Sequence, residues 1–339
     1  MDTAEAKKPT VRHRAQFATM HGPISTWLRQ TPEGDGRFGD SWFREHATGA
    51  ADEWLVVCDE PPPGLSTRIP PVRRVLFIGE PRAIKTYQPD YLNQFGFVVG
   101  PIPLPGFAGI HVRRHGSLPW HYGKTRPVAW ADLLRDKPKD RCLSVFCSDK
   151  TLTRQQEERI RFVEALKRNF GSLVDHFGHG FNRLEEKADG LDPYRYTVVL
   201  ENNLEDGFWT EKLGDAYLGH CFPIYSGGNI PPEDFDPRAR LEIDVSRSDE
   251  SLARISALLQ SNRFEGAEDL IREQRLRVMV EHNLFTVADR LMATAGAEAG
   301  LLSRSVPVHQ GHDCRPALST ASADGGRRLG REIIRRLFR

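Results

Sequence analysis

The stretch YRYTVVLENNLEDGFWTEKLGDAYLGHCFPIYSGG, residues 194–228, contains the pattern that decides the fold. It begins with a β-rich apolar run at 194–202, continues through a polar loop into a helix-like segment at 208–219, and ends in a second apolar run at 221–227. Apolar runs without strict alternation suit strands that are buried on both faces of a sheet. The stretch therefore predicts a strand–helix–strand unit of a parallel α/β domain.

The same alternation continues on both sides of this stretch. Upstream, residues 141–150 and 172–178 are strand-like, and residues 153–170 between them repeat apolar side chains at helical spacing. Downstream, the pattern from about 249 to 296 is almost wholly helical. These segments predict one α/β domain with a parallel sheet in the second half of the chain.

The first half of the chain predicts a separate α/β domain. Short β-rich runs at 53–58, 74–79 and 95–100 are separated by loops rich in proline and glycine. At 339 residues the chain is long for one hydrophobic core. We expect a first domain at 1–138, a second at 139–302, a flexible linker at 303–326 and a basic amphipathic tail helix at 327–339.

Charge and cysteine usage narrow the class of protein. The net charge of +1 argues against a protein that coats nucleic acid, so no nucleic-acid partner is expected. The five cysteines are scattered, form no CxxC pair and mostly lie in apolar runs, which predicts buried free thiols in a reducing compartment. With no signal-like start and no membrane-spanning run, the cytoplasm is the predicted location.

The polar segment between the two apolar runs could hold a nucleotide. If Thr210 opens a helix, the first-turn N–H groups point into a loop at the carboxyl ends of the strands, where ligands usually bind. Lys212 would add a mobile positive charge for a phosphate, and Glu211 would suit the paired hydroxyls of a ribose. Ordinary helix-start and turn chemistry, including Glu201 and Asn202 at a strand end, explains the same residues without a ligand.

A family resemblance favours the ligand interpretation. Residues 194–230 resemble the signature region of the family 10 glycosyltransferases, the α-1,3/1,4-fucosyltransferases: a strand that ends in Glu-Asn, an aromatic residue before Thr-Glu-Lys, then Pro-Ile and a glycine turn. The resemblance covers residues 141–245 in a matching order of elements. It implies an α/β GT-B fold with two parallel-sheet domains facing a cleft, and an inverting enzyme that uses GDP-fucose without a cofactor or required metal.

The resemblance also implies roles for individual residues. Glu211 looks like the family's ribose-binding glutamate, Lys212 its phosphate-binding lysine and Asn202 its donor-site asparagine. Phe208 stands where relatives often have tyrosine, so it would keep an aromatic face without the hydroxyl group. Three residues could be the second phosphate-binding cation: Arg183, Lys187 and His179. Of these, Arg183 suits a diphosphate best, because its guanidinium is permanently charged.

A single displacement calls for one general base that takes the proton from the acceptor hydroxyl. Glu80 directly follows an apolar strand in VLFIGEPRAIKTY and is similar to the family's Glu-Ser-Pro region, although the serine is absent. It is the predicted catalytic base. The alternative is that Glu80 merely precedes a turn proline.

The acceptor is the partner about which the sequence says least. Galactose or N-acetylglucosamine in a bacterial surface glycan is what the resemblance implies. In the loop IHVRRHGSLPWHYG, residues 110–123, aromatic and basic side chains could contact such a glycan or form a plain surface loop. The histidines of this loop lack metal-ligand spacing. The side chains that could contact a glycan are Arg113, Arg114, Trp120 and Tyr122. The histidines are His111, His115 and His121.

Two other functions fit parts of the chain. The Thr-Glu-Lys region would recognise nucleotide and phosphates rather than sugar stereochemistry, so another GDP-sugar could be the donor. The arginine-rich tail at 327–339 has the form of a peripheral membrane-binding helix at the inner membrane face. A non-catalytic protein that binds membrane or nucleic acid through this tail is the alternative from a different class, as is a tail docked on its own domain or a partner subunit.

Overall fold

The computed structural model of the protein describes residues 11–45, 52–150, 154–296 and 306–307. These residues divide into two compact units. Unit 1 takes its residues from Met1–Glu80, Ile84–Ser117 and Leu284–Arg339, and unit 2 from Pro81–Ala83 and Leu118–Asn283. Each unit has its own largely parallel sheet.

The strands and helices are numbered in chain order. The strands are β1 His13–Thr19, β2 Arg37–Phe38, β3 Ser41–Glu45, β4 Trp54–Cys58, β5 Ser66–Thr67, β6 Arg74–Phe77, β7 Phe97–Val99, β8 Ile110–Val112, β9 Arg141–Phe146, β10 Val174–Phe177, β11 Tyr194–Leu200, β12 Phe222–Ser226, β13 Leu241–Glu242 and β14 Val306–Pro307. The α-helices are α1 Ile24–Leu28, α2 Pro89–Leu92, α3 Trp130–Leu133, α4 Arg154–Phe170, α5 Glu211–Leu218, α6 Ser248–Leu259, α7 Glu268–Leu276 and α8 Leu284–Gly296. Short 3₁₀ helices span Pro71–Arg73, Gly171–Leu173, Lys187–Gly190, Pro237–Ala239 and Glu265–Ala267, and a π-helical turn spans Arg277–Glu281.

The main sheet of unit 1 has the order β2-β3-β1-β4-β6-β7-β8. All neighbours are parallel except β2 and β3 at one edge. Every residue of β4 and β6 is buried, as expected for strands covered on both faces. The separate pair of β5 and β14 is antiparallel.

The sheet of unit 2 has the order β10-β9-β11-β12-β13 and is parallel throughout. Strand β11, helix α5 and strand β12 follow one another along the chain, and β11 pairs directly with β12. The strand–helix–strand unit predicted from residues 194–228 is therefore confirmed. The predicted α/β class with two parallel sheets is confirmed as well.

The first division of the chain differs from the predicted boundary at residue 138. Unit 2 begins at Leu118, because Trp120, Tyr122 and Leu133 are buried in its hydrophobic core. The ring of Trp120 packs against Trp130 with the ring centroids 6.1 Å apart. The alternatives of a surface loop or an exposed glycan contact therefore do not describe Trp120 and Tyr122, whose rings are core residues.

Helix α8 also belongs to a different unit than predicted. The sequence places residues up to 302 in the second domain, but α8 packs in the core of unit 1. Its Phe285 ring lies 5.5 Å from the Phe17 ring and 4.9 Å from the Phe43 ring, centroid to centroid. The Asp289 carboxylate accepts a hydrogen bond from the Ser41 hydroxyl at 2.5 Å. Helical periodicity identifies such a helix but does not specify which core its apolar face covers.

Replacing Phe285 with alanine is expected to lower the free energy of unfolding by about 3–5 kcal/mol, because the fully buried ring would leave a cavity in the core of unit 1. Urea denaturation followed by tryptophan fluorescence measures this change. Arg290→Ala, at an exposed position of the same helix, is the control and should change the value by less than about 0.5 kcal/mol. Equal effects of the two substitutions would contradict the packing of α8 in unit 1.

Three of the predicted buried thiols, Cys58, Cys147 and Cys221, are buried and free, whereas Cys142 is only partly buried. Cys314 and the predicted tail helix at 327–339 lie outside the described residues. So does the predicted linker, apart from Val306–Pro307 in β14. In the described part of the chain, no helix has both the length and the apolar character needed to cross a bilayer.

Candidate functional site

The site in unit 2 starts with the loop between β11 and α5, at the carboxyl edge of the sheet. Thr210 is the N-cap of α5, with extended backbone angles (φ −118°, ψ −177°), and its hydroxyl accepts a hydrogen bond from the Lys212 N–H at 3.4 Å. The helix begins at Glu211, as the sequence predicts. The remaining first-turn N–H groups carry the partial positive charge of a helix N-terminus toward this loop.

Glu201, the residue after β11, organises the start of α5. Its carboxylate is fully buried and accepts hydrogen bonds from the Thr210 N–H at 2.8 Å and the Thr210 hydroxyl at 2.7 Å. It also accepts one from Lys212 Nζ at 3.0 Å. Burial disfavours the charged ammonium, but the charges of Glu201 and Glu211 outweigh it and raise the pKa of Lys212. Lys212 is therefore a fixed, permanently charged cation rather than a mobile one.

Glu211 lies beside Lys212 and His121 at the edge of the site. Its carboxylate is 3.9 Å from Lys212 Nζ and 3.8 Å from His121 Nδ1. Burial opposes ionisation, but the charges of Lys212, His121 and Lys187 lower the pKa of Glu211 to about 2. Glu211 is thus an ionised acceptor, which can receive hydrogen bonds from hydroxyl groups but would repel a phosphate.

A pocket of about 290 Å³ opens beyond the ends of β9 and β10. Phe146 and Phe177, the last residues of these strands, form part of its wall. The three residues considered for the second phosphate cation all line it, together with two further basic side chains: His179, Arg183 and Lys187, with His121 and Lys124. The structure therefore brings the three alternatives into one pocket.

These three residues differ in how they are held. Lys187 Nζ lies 2.7 Å from the Asp215 carboxylate, which is fully buried and also accepts the His121 N–H at 3.0 Å. His179 is exposed, with Nδ1 3.2 Å from Asp149. Arg183 is exposed and makes no ion pair with any residue that the structure describes. Its guanidinium is therefore accessible to an anion from solution, as is the exposed Lys124 in the same pocket.

The turn that carries His179 depends on glycine. Gly178 has a φ of +150°, and a Cβ there would lie 2.1 Å from the carbonyl oxygen of Cys147. Gly180 has a φ of +81°, and its Cβ would overlap the Asp149 carboxylate. The two glycines of the Phe-Gly-His-Gly turn at 177–180 are therefore explained by close backbone packing at the pocket wall.

Asn202 and Phe208 have different environments. Asn202 is exposed, and its side-chain oxygen accepts a hydrogen bond from Arg159 of α4, which also donates to the Leu200 carbonyl at 3.3 Å. The amide nitrogen of Asn202 thus points its donors away from this contact. Phe208 is 2% exposed, so the structure offers no exposed aromatic face at this position. The predicted donor contact of Phe208 stays a prediction.

Glu80 belongs to unit 1, whereas all the other predicted site residues belong to unit 2. It follows β6 after two residues and lies at the carboxyl edge of the unit 1 sheet, as predicted. The N–H groups of Gly79 and Glu80 donate to the Tyr87 hydroxyl at 3.2 and 3.1 Å. These bonds fix the backbone from which the half-buried Glu80 side chain projects.

The architecture is that of the GT-B class of α/β proteins. The fold is similar to the crystal structure of an alpha1,3-fucosyltransferase, with a TM-score of 0.51 and 16% identity over 88% of this chain and 94% of that chain. A second alpha1,3-fucosyltransferase structure, with GDP-fucose, gives a TM-score of 0.49 and 14% identity over 89% of this chain and 95% of that chain. At 16% identity, the similarity to the first structure shows that the two proteins share a fold and nothing further.

One sequence comparison points to a particular relative. A stretch of 80 residues is 34% identical to the alpha-(1,3)-fucosyltransferase FucT of Helicobacter pylori. It covers 23% of this chain and 16% of the length of that enzyme. No protein-family model matches the chain.

Replacing Glu201 with glutamine is expected to lower the free energy of unfolding by about 2–4 kcal/mol, because Lys212 would lose its buried counter-charge. Urea denaturation measures the loss. Glu164→Gln, at an exposed position of α4, is the matched control and should have little effect. If the two variants unfold alike, Glu201 does not hold Lys212 as described.

Proposed function

We propose that the protein is a glycosyltransferase that moves L-fucose from GDP-fucose to a hydroxyl group of a glycan acceptor, with inversion at the anomeric carbon. The observation that carries the proposal is the start of α5. There a buried carboxylate, Glu201, fixes the charged Lys212 beside a helix N-terminus, and the ionised Glu211 lies next to it. This combination provides groups for both parts of a nucleotide, a phosphate and a ribose.

In this proposal the donor-binding residues of unit 2 have separate tasks. Lys212 binds the diphosphate at the positively charged N-terminal end of α5, and Arg183 adds a second cation from the pocket beyond β10. Glu211 accepts hydrogen bonds from the ribose hydroxyls. Asn202 donates its amide hydrogens to the donor. The cations would stabilise the charge that grows on the leaving diphosphate, so we propose that transfer requires no metal ion or cofactor.

The chemical step is a single displacement. The acceptor hydroxyl loses its proton to the Glu80 carboxylate while its oxygen forms a bond to the anomeric carbon of fucose. The bond from that carbon to the β-phosphate oxygen breaks, and its electron pair leaves with GDP. The position of Glu80 at the carboxyl edge of the unit 1 sheet, with its backbone fixed by Tyr87, supports this role.

A transferase for another GDP-sugar is the second candidate. Lys212 and Glu211 would contact phosphate and ribose, which all GDP-sugars share. The two candidates therefore differ in the sugar that is transferred. Peripheral membrane contact through residues 327–339 concerns a segment outside the described residues and does not compete with catalysis.

Mass spectrometry of the products formed from GDP-fucose and GDP-mannose tests both candidates. Each donor is incubated with short glycans that end in galactose or N-acetylglucosamine, with and without EDTA. We expect transfer of fucose, unchanged by EDTA. Transfer from GDP-mannose alone would support the second candidate. If neither donor is transferred to a glycan or hydrolysed by water, the proposed activity is wrong.

A further inference from the structure

A second polar cluster lies at the carboxyl edge of the unit 1 sheet. It is centred on Asp59, which directly follows β4 and is 5% exposed. The residue has a φ of +63°, in the left-handed region that non-glycine residues enter infrequently. His21 follows β1, the neighbouring strand, so the two side chains meet beyond the ends of adjacent parallel strands.

Asp59 accepts hydrogen bonds from three side chains. His21 Nε2 lies 3.0 Å from its Oδ2, and Lys85 Nζ lies 3.1 Å from the same oxygen. The Tyr87 hydroxyl donates to Oδ1. The backbone carbonyl of Asp59 accepts a further bond from the Tyr91 hydroxyl at 2.8 Å. A buried carboxylate held by so many donors is rigid, and it fixes the orientation of each group that it contacts.

The same cluster fixes the segment of the predicted base. The Tyr87 hydroxyl donates a hydrogen bond to Asp59 and accepts hydrogen bonds from the N–H groups of Gly79 and Glu80. A Cβ at Gly79 would lie 2.8 Å from the Asp59 Cβ, so the two chain segments pack in direct contact. Asp59 therefore connects His21 and Glu80 through one hydrogen-bond network.

Among the groups bound to Asp59, His21 is the one with an accessible side chain. It is 39% exposed, whereas Lys85 is 17% exposed and makes ion pairs with both Asp59 and Glu60. Tyr87 is 7% exposed and committed to three hydrogen bonds. With Nε2 held by Asp59, the second ring nitrogen of His21, Nδ1, is the polar atom that can contact another molecule.

We propose that His21 is an acceptor-binding residue of unit 1, which hydrogen-bonds a hydroxyl group of the acceptor sugar through Nδ1, and that Asp59 is the residue that positions its ring. The inference rests on the proposed transferase function, because it assigns the acceptor contact of that reaction. It is distinct from the role of Glu80, which takes the proton in the chemical step.

The charge on His21 determines which group donates the hydrogen bond in this contact. The hydrogen bond with Asp59 raises the pKa of His21 against the effect of burial; the charges of Asp59 and Glu80 add to this, and that of Lys85 opposes it. The imidazolium donates from both nitrogens, so it would bind an acceptor hydroxyl through its oxygen. Acceptor affinity should then fall as the pH rises through the pKa of His21.

His21→Gln is the informative substitution. A glutamine amide can replace Nε2 and keep the contact with Asp59, but it has no counterpart of Nδ1 and does not titrate. We expect the KM for the acceptor glycan to rise about tenfold, which corresponds to one lost hydrogen bond to a charged group. The pH dependence of this KM should disappear, because glutamine does not titrate. GDP affinity, measured by calorimetry, should not change, because the proposed donor residues lie in unit 2.

Two further variants separate binding from a structural role. His13→Gln changes the histidine at the opposite end of β1 and should leave the acceptor KM and its pH dependence as in the wild type. Asp59→Asn should shift the pH dependence to lower pH, since it removes the charge that raises the pKa of His21. If His21→Gln keeps the wild-type acceptor KM and pH profile, the proposal is overturned.

Saturation-transfer NMR keeps the test independent of the donor. The wild-type protein and His21→Gln are each mixed with short glycans that end in galactose or N-acetylglucosamine, without any nucleotide. Glycan signals that appear with the wild type and weaken with His21→Gln would support the contact, even if no GDP-sugar were turned over. Equal signals with both proteins, or none with the wild type, would overturn it. A failed donor panel with intact glycan binding would instead reject the proposed activity.

Discussion

Replacing Lys212 with methionine should reduce kcat for fucosyl transfer by at least about 100-fold, because the variant lacks a fixed cation for the departing diphosphate. GDP affinity should fall as well, since the same charge binds the phosphates in the ground state. The structure fixes both the position and the charge of Lys212. Glu201 holds it at 3.0 Å, and its charge is retained over the whole working range of pH. Single-turnover kinetics and calorimetry with GDP measure the two effects.

Lys167→Met is the matched control for this prediction, because Lys167 is exposed near the end of α4. It should leave both kcat and GDP affinity unchanged. Removal of Lys212 also leaves the Glu201 carboxylate buried without its cation, so the urea midpoint of each variant has to be measured. A folded Lys212→Met protein with wild-type GDP affinity would contradict the phosphate-binding role.

Glu80→Gln should abolish transfer while GDP binding persists. The glutamine amide has the size of the carboxylate but cannot take up the acceptor proton, and the segment would still be held by the two N–H bonds to Tyr87. A loss of at least about 100-fold in kcat is expected for a missing general base. Transfer is followed by mass spectrometry, and GDP binding by calorimetry.

Glu33→Gln, an exposed position of the same unit, is the control and should retain full activity. The variant pair also distinguishes Glu80 from His21: the first should lower kcat, whereas the second should raise the acceptor KM. If Glu80→Gln turns over GDP-fucose at the wild-type rate, another residue takes the proton.

The sequence predicts elements of the fold where apolar runs are long or strongly periodic. Strands β4, β6 and β11 and helix α4 were predicted close to their observed bounds. Strands β1 and β3 were missed, because HRAQFAT and SWFRE mix polar and apolar residues although the two strands pair inside the unit 1 sheet, between β2 and β4. The hydrophobic pattern identifies strands that are buried on both faces. It fails to identify strands whose polar side chains are hydrogen-bonded within the fold.

The position of α8 could not be predicted for a different reason. Its apolar face would suit the core of either unit. Only the shape of the space beside Phe17 and Phe43 determines that α8 packs in unit 1. Chain order suggested the second domain, since α8 directly follows α7 and the π-helical turn. Pairwise packing over a long sequence separation is information that a single sequence does not contain.

The start of α5 at Thr210 and Glu211 was predicted because the Thr-Glu-Lys pattern is local. The buried carboxylates that organise the site in unit 2, Glu201 and Asp215, were not predicted in that role. Asp215 is bound by Lys187 and by the backbone of His121, far away in the chain, so no short motif indicates it. The signal for Glu201 was present, since a carboxylate directly after a largely buried strand needs a counter-charge, and Lys212 is eleven positions further on.

The return of α8 to unit 1 affects how the two units could be separated or exchanged. The fragment 118–283 contains the whole sheet of unit 2 and nearly all of its core in one continuous piece of chain. Unit 1 has no such continuous piece, because its core needs Phe285 and its neighbours from the far side of that fragment. An exchange of unit 1 between related chains should therefore carry two grafts, one before residue 118 and one from residue 284 onwards, rather than a single N-terminal swap.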